Sequence, residues 1–496
     1  MTSIIKTDPK EFSSYLKDAS HFKGFADRLI IPHTEKEIAE ILRDHHEKKI
    51  PITITGNRTG LTGGAVAEGG SILATDRLNR VKTLENNFAI VEPGVTLASL
   101  FDALGSKQKL YPPDPGEWKA FVGGTVATNA SGPRAFKYGT TRRWVRRLRT
   151  VLATGEVVDI PRGRFMSDSS GRIYIPLSNG QIKMIHVPHE APRISKSVVG
   201  YFGGSHIDLI DLLIGSEGTL GVVTEIEIEL IPAPTDTFML MIFFPSEKNA
   251  WDFCSEIRKL SMIARQNNSG EILEARSIEY FDEGSLNFMF SHYLNIPRSA
   301  KAAIYIEQEC RDKKRELLVD WFNVIRRSKG FAADTWLASS EDQKEEFREF
   351  RHMLPELVNQ WLLERNQQKI GTDMAVPPAR FEALMNFKKD ALGRSGLRYV
   401  TFGHIGDSHV HLNMLPENER ERVMAKRLYL DFAREAVKLG GTISAEHGIG
   451  KIKRGYLPLM LSKGAIHEMV TLKKEFDPEL ILNRGNLFTD EMLKLI

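Results

Sequence analysis

The sequence predicts an α+β protein built from two lobes and a helical tail, and three observations lead there. Strand-like and helix-like segments alternate from the start of the chain, and the closely spaced prolines of Pro232-Ala-Pro234 break the pattern near its middle. Beyond that break the order strand–helix–strand–helix points to an antiparallel sheet with helices on one side. These signals divide the 496 residues into 1–233, 234–425 and 426–496, consistent with roughly 150 residues per domain.

Thr34 and Glu37 read as a capping box, and Ile38, Ile41 and Leu42 give the stripe of an amphipathic helix ending near Lys49. A β-branched run from Ile50 to Thr55, broken by Pro51, then empties into a glycine-rich loop. Strands are expected at Ser71–Thr75 and Phe88–Val91, a helix after Thr96, and a strand with alternating glutamates at Ile226–Leu230. In the second lobe Phe238–Phe244 reads as a buried strand, Trp251–Leu260 as a helix, Ala302–Glu307 as a strand and Arg315–Ser328 as a helix. Arg398 to Met414 is again strand-like, and the tail from Glu421 is helical, with Asp477-Pro478 as a stop.

Composition excludes several classes. Hydrophobic residues at 42% and charged residues at 26% are those of a folded globular chain, not a disordered one. A net charge of +3 is too small to imply nucleic acid or a membrane surface. The local exception is Arg142, Arg143, Arg146, Arg147 and Arg149, read first as a solvated face and second as a docking patch for an acidic partner. Two cysteines, Cys254 and Cys310, provide neither a disulfide framework nor an iron–sulfur cluster. No secretory signal is visible and no apolar run nears the ~20 residues that span a bilayer. The expectation is a cytoplasmic protein, peripheral at the membrane only through a partner.

The loop Gly56-Asn57-Arg58-Thr59-Gly60-Leu61-Thr62-Gly63-Gly64-Ala65 follows a strand, and glycines at this density let backbone N–H groups converge on a diphosphate. It is neither a Walker loop nor a GxGxxG turn. Gly123-Gly124-Thr125, with Thr128-Asn129-Ala130-Ser131-Gly132, and Gly215-Ser216-Glu217-Gly218-Thr219-Leu220-Gly221 repeat the pattern. Three such loops in one lobe argue for a long ligand threaded between strands.

Together these segments, with Pro93-Gly94, Tyr138-Gly139 and the run 215–225 extending through Val222, resemble the FAD-linked oxidases related to vanillyl-alcohol oxidase. The branch is that of D-lactate dehydrogenase, the glycolate oxidase flavin subunit and D-2-hydroxyglutarate dehydrogenase. The resemblance implies a PCMH-type FAD-binding domain, an antiparallel-sheet cap and a C-terminal segment returning to the flavin domain through Asp477-Pro478 and Asn483. It implies that 56–65 wraps the pyrophosphate and that 123–132 and 215–223 line the adenine, ribitol and flavin ring. The glycine-rich loop has no histidine for covalent attachment, so dissociable, non-covalent FAD is expected. Two departures stand out: Arg484 replaces the usual proline after Asn483, and the segment from Val158 to His206 is unusually long.

His404, His409, His411 and Asn413 would share one strand face if Gly406-Asp407 formed a hairpin turn. That face, with Glu446 as a carboxylate, suits a divalent metal: Zn²⁺ first, Mn²⁺ or Fe²⁺ as alternatives. The resemblance assigns His404, His411 and Glu446 to the metal, Asn413 to a substrate hydrogen bond, His447 to the catalytic base and Arg351 to the substrate carboxylate. His409 and Ser408 depart from the usual residues, which makes His409 a bystander or a specificity determinant. Gly371 stands where some relatives place a lysine, with Lys369 nearby.

The implied chemistry is oxidation of a 2-hydroxy acid by hydride transfer to flavin, with proton removal by His447. Electrons would leave to a separate acceptor: an electron-transfer flavoprotein, a quinone, a cytochrome, an iron–sulfur subunit or oxygen. A homodimer is compatible with this scheme. The competing expectations are a flavin-dependent transferase resembling alkyl-dihydroxyacetone-phosphate synthase, a zinc hydrolase, and a non-catalytic FAD-binding subunit.

Overall fold

Thr34 opens the first long helix, its hydroxyl accepting the Glu37 N–H at 3.2 Å, and Glu35–Lys48 run helical until Lys49 turns left-handed at φ 54°. The other arm departs from a capping box, because the Glu37 carboxylate takes the N–H of His33 and the hydroxyl of Ser3, both at 2.8 Å. The left-handed Lys49 and Pro51 then delay the next strand to Ile52. The computed structural model describes residues 3–190, 194–266, 273–310 and 313–494.

The chain forms two units, one of residues 1–132, 139–233 and 444–496, the other of 133–138 and 234–443. The helix Glu419–Lys438 therefore lies wholly in the second unit, and the final segment starts at 444 rather than 426.

In the first unit, β1 (Ile4–Lys6), β2 (Arg28–Ile31), β3 (Ile52–Thr55) and β4 (Ser71–Ala74) form a sheet of order β1-β2-β4-β3, parallel except for the β1–β2 pair. A second sheet is antiparallel: β5 (Val81–Leu84), β6 (Phe88–Val91), β7 (Val145–Val151), β8 (Val157–Pro161) and β9 (Val222–Glu229), in the order β5-β6-β9-β7-β8. Ile38, Leu42, Ile52, Leu73, Val151, Val222 and Leu482 share one core cluster, joining both sheets, the first helix and the C-terminal segment.

The alternation of β9 buries Ile226 and Ile228 and turns Glu225, Glu227 and Glu229 to the other face. That row and other acidic groups meet most of the arginine run, so it is not simply a solvated face. Arg147 pairs with Glu225, Glu227 and Asp159, Arg149 with Glu35, and Arg142 with Asp211 and the Ile214 carbonyl. The long segment after Val158 contains a hairpin, Arg172–Pro176 with Ile182–His186. The backbone N–H of His186 donates to Glu475 at 2.8 Å and that of His189 to Glu468 at 2.9 Å, both on the helix Lys463–Phe476. Residues 191–193 of that segment lie outside the described residues.

The second unit holds a seven-stranded antiparallel sheet: β10 (Asp236–Phe244), β11 (Ala275–Asp282), β12 (Ala302–Cys310), β13 (Trp336–Ala338), β14 (Ile370–Gly371), β15 (Tyr399–Gly403) and β16 (His411–Met414). Its order is β13-β10-β12-β11-β15-β16-β14. Helices cover both faces, not one. Phe243 packs on Trp336 at 5.0 Å, in the cluster that also holds Phe350 of the helix Glu341–Leu363, while Phe244 meets Phe253 of the helix Glu247–Gln266 at 5.2 Å. Burial on both faces is why β10 reads as a continuous apolar run.

One buried charge in this unit stands against stability. Lys388, on the helix Phe381–Ser395, is fully buried, and the hydrogen bond described for its Nζ is a long one of 3.5 Å to Thr372 Oγ1. Burial pushes its ammonium down to about 7. A lysine depressed in the folded state destabilises fully below that pH, and the loss fades as pH rises toward the unfolded value near 10.4. Lys388→Met should therefore raise the unfolding free energy at pH 7 by on the order of 3 kcal/mol. It should also flatten the rise in stability between pH 7 and 10. Thermal unfolding across that range checks both, and an unchanged slope would refute the assignment.

Candidate functional site

Four loops of the first unit close around one cavity. In the first of them Arg58 and Gly63 adopt positive φ, 60° and 74°, so the loop 56–65 folds back on itself directly after β3. A Cβ built on Gly60 or Gly124 meets nothing within 4 Å, because both face open space, and both line the cavity. Other glycines are fixed by contact: a Cβ on Gly123 would come within 2.5 Å of Pro93, and one on Gly218 within 2.7 Å of Asn483 Nδ2.

Asn483 locks two of these loops together. At φ 42°, its Oδ1 accepts the Ile54 N–H and its Nδ2 donates to the Glu217 carbonyl, both at 2.7 Å. Asn486 donates from Nδ2 to the carbonyls of Gly64 and Glu217 at 2.9 and 3.2 Å. The buried Glu217 carboxylate accepts the N–H groups of Ile449 and Gly450 at 2.6 and 2.7 Å, and burial pushes its pKa above the usual range. These bonds set the loop that carries Glu446 and His447 into the cavity wall. Glu446 accepts from Ser131 Oγ at 3.0 Å and lies 3.5 Å from Lys196 Nζ.

Most of the residues expected to bind the cofactor line this cavity, from Gly56 through Thr62, Gly64 and Ala65, then Pro93, Gly123, Gly124, Thr125, Thr128, Ser131, Glu217, Gly218, Gly221 and Asn483. Others support the wall from behind. Gly63 backs onto Phe22, Gly94 onto the Thr75 carbonyl and Gly132 onto the Asp114 carbonyl. Asn129 caps its helix and accepts the Arg142 N–H at 2.9 Å, and Val222 is core. Gly139 abuts Arg143, and Tyr138 belongs to the second unit, where its hydroxyl bonds Glu309. Sequence reading missed Lys196, Asn486 and Phe121; Lys196 lies in the long segment where no motif marks it. A glycine-walled cleft of this kind, open at Gly60 and Gly124, fits FAD.

In the second unit the hairpin β15–β16 differs from the expected two-residue turn. Phe402 pairs with His411, and residues 403–410 form the connection, with Ser408 left-handed at φ 56°. Gly403 makes the room: a Cβ there would fall 2.9 Å from the His411 ring. The three imidazoles still converge, with ring centroids 5.5 Å apart for His404–His409 and His404–His411 and 4.6 Å for His409–His411. Each offers a ring nitrogen within 4.8 Å of the others. His409 is thus part of the cluster.

Acceptors back this cluster. His404 Nδ1 lies 2.7 Å from Glu279 Oε1, His411 Nδ1 donates to the Thr372 carbonyl at 3.2 Å, and His409 Nε2 lies 3.0 Å from Asp373 Oδ1. Arg351, on the long helix Glu341–Leu363, reaches Glu279 Oε2 at 3.2 Å. Asn413 on β16 donates to the His411 carbonyl at 3.2 Å and faces Gly371, whose absent Cβ would meet its Oδ1 at 2.7 Å. Imidazole nitrogens with carboxylate neighbours fit a divalent ion of the Zn²⁺, Mn²⁺ or Fe²⁺ kind.

Residues 234–487 match the family of FAD linked oxidases, C-terminal domain, and residues 26–161 match the FAD binding domain family. The glycolate oxidase subunit GlcD of Bacillus subtilis (strain 168) is 30% identical over 492 residues, covering 97% of this chain and 93% of its own. A D-lactate dehydrogenase of Archaeoglobus fulgidus is 31% identical over 92% of this chain and 90% of its own, and a D-2-hydroxyglutarate dehydrogenase of Stutzerimonas stutzeri is 26% identical over 98% and 96%. Among solved structures, p-cresol methylhydroxylase shares the fold at a TM-score of 0.69 and 15% identity, covering 98% of this chain and 94% of its own. Alkyldihydroxyacetonephosphate synthase does so at 0.66 and 19%, covering 97% and 83%. With the family match running from the cap sheet to Asn483 and near-complete coverage of relatives at about 30% identity, this chain belongs to the FAD linked oxidases.

Proposed function

We propose that this FAD-linked oxidoreductase oxidises a small 2-hydroxy acid, of the D-lactate, glycolate or D-2-hydroxyglutarate type, to the 2-oxo acid. The observation that carries the reading is Glu279, which holds an imidazole of the histidine cluster and the Arg351 guanidinium with one carboxylate. A 2-hydroxy acid carries its hydroxyl and carboxylate on adjacent carbons, and such a pair of groups suits both.

Bound FAD supplies the two-electron acceptor, and a bound divalent ion supplies a Lewis acid for the substrate hydroxyl. Arg351 holds the carboxylate, a planar fork against a planar anion. Asn413 orients the substrate by a hydrogen bond, and His447 takes the hydroxyl proton as the hydride leaves the same carbon. His404 and His411 serve as metal ligands, with Glu446 the carboxylate ligand that the sequence resemblance assigns. The FAD is dissociable, since the glycine-rich loop 56–65 carries no histidine for covalent attachment.

The two electrons then pass to a separate acceptor. Cys254 and Cys310 are both buried and free, so the described residues offer no thiolate cluster to receive them. No helix among the described residues is long and apolar enough to cross a membrane.

The test is anaerobic. The visible spectrum of the purified protein is recorded while D-lactate, glycolate and D-2-hydroxyglutarate are added singly, with and without a chelator. Bleaching of the flavin band by one of them, abolished by chelation and restored by Zn²⁺ or Mn²⁺, is the expected result. A yellow protein that no hydroxy acid bleaches would reject the reading.

A further inference from the structure

We propose that Glu279 is a positioning residue that sets the metal-binding imidazole and the carboxylate-binding guanidinium with one side chain, an inference that rests on the function proposed above. Glu279 lies in the middle of β11, the strand whose eight residues are all buried, and it is 1% exposed. A carboxylate at such a depth is costly unless each oxygen is matched. Oε1 takes His404 Nδ1 at 2.7 Å and Oε2 takes an Arg351 Nη at 3.2 Å. The division of labour is one oxygen for each partner.

Two consequences follow from that division. Donation from Nδ1 to Oε1 orients the His404 ring and leaves Nε2 as the nitrogen that would bind a metal. Arg351 is anchored through one Nη on Oε2, which holds the plane of its guanidinium in place before a substrate arrives. Because both anchors are on one carboxylate, the imidazole and the guanidinium cannot shift independently. The protein thereby fixes the spacing between the group that binds a hydroxyl and the group that binds the neighbouring carboxylate. His409 lies against Asp373 and His411 against the Thr372 carbonyl; Glu279 joins an imidazole to the guanidinium.

Glu279→Gln breaks the division, since an amide offers one acceptor and one donor where two acceptors are needed. The holoprotein variants Glu279→Gln and Glu279→Asp are compared with the parent for flavin content, for Zn²⁺ affinity by competition against a chromophoric chelator, and for kcat and KM with the hydroxy acid that reduces the parent. We expect Glu279→Gln to keep its flavin, to bind Zn²⁺ roughly 10–100-fold more weakly and to raise KM in parallel. Glu279→Asp, which keeps the charge, should recover part of the Zn²⁺ affinity. Parent-like Zn²⁺ affinity and KM in Glu279→Gln would overturn the proposal; if that variant loses its flavin, parent-like values in Glu279→Asp would do so. A parent that is reduced by no hydroxy acid and binds no Zn²⁺ would instead reject the functional reading itself.

Discussion

His447→Ala is expected to keep its bound FAD and to lose reduction by the hydroxy acid by about 10²–10⁴-fold, the range for removal of a general base. The two halves of that expectation have different origins. The loop carrying His447 is held by its backbone: the His447 carbonyl accepts from Thr62 Oγ1 at 3.2 Å, and the next two N–H groups but one, those of Ile449 and Gly450, are bound by Glu217. Lys451 and Ile452 then donate their N–H groups to the Thr62 carbonyl at 2.9 and 3.1 Å. None of these bonds uses the imidazole, so its deletion leaves the cradle standing. Stopped-flow reduction under anaerobic conditions, with flavin content as the control, separates loss of chemistry from loss of cofactor. A variant reduced at the parental rate would remove His447 from the mechanism.

What could be read from the sequence follows a physical line. Glycine-rich loops and caps are local features, and their geometry survived into the structure: Thr34, Thr96 and the loop 56–65 all do what neighbouring residues dictate. The histidines were legible by residue type, yet their route to one another was not. A two-residue turn would have paired His404 with His409, whereas Gly403 and Ser408 at positive φ build a longer connection that gathers the same rings by another path.

Long-range pairings were the least legible. β11 carries Arg276, Glu279 and Asp282, and only the partners supplied by distant elements let it be a buried central strand. Arg147 and Arg149 of β7 read as solvated because the carboxylates that meet them are distant in sequence, Glu225 and Glu227 on β9 for Arg147 and Glu35 on the first helix for Arg149. The expectation of helices on one side of the cap sheet fails for a similar reason: the apolar run Phe238–Phe244 in β10 states that both faces are buried, but not by what.

Asp477 makes the same point with a larger energetic consequence. In the sequence it is half of an Asp-Pro helix stop; in the fold it is fully buried and accepts from Lys473 Nζ at 2.6 Å, the Leu482 N–H at 2.8 Å and the Ile481 N–H at 3.1 Å. Lys473, whose pKa burial pushes down, also donates to the carbonyls of Thr219 and Leu482 at 2.7 and 2.9 Å. The pair thus ties the last long helix to the 215–221 loop and sets the residue that follows, Asn483, into the cavity wall. Asp477→Ala strands a buried ammonium and two backbone donors, and should cost about 3–5 kcal/mol. Because Asn483 loses its anchor as well, FAD should dissociate from this variant before the second unit unfolds. Lys473→Met in the same background should recover part of the loss, since replacing both charges removes the unpaired one. Urea unfolding followed in parallel by flavin release and by far-UV signal measures each quantity. If Asp477→Ala retained its FAD with an unchanged midpoint, the clamp would have no part in holding the cofactor domain together.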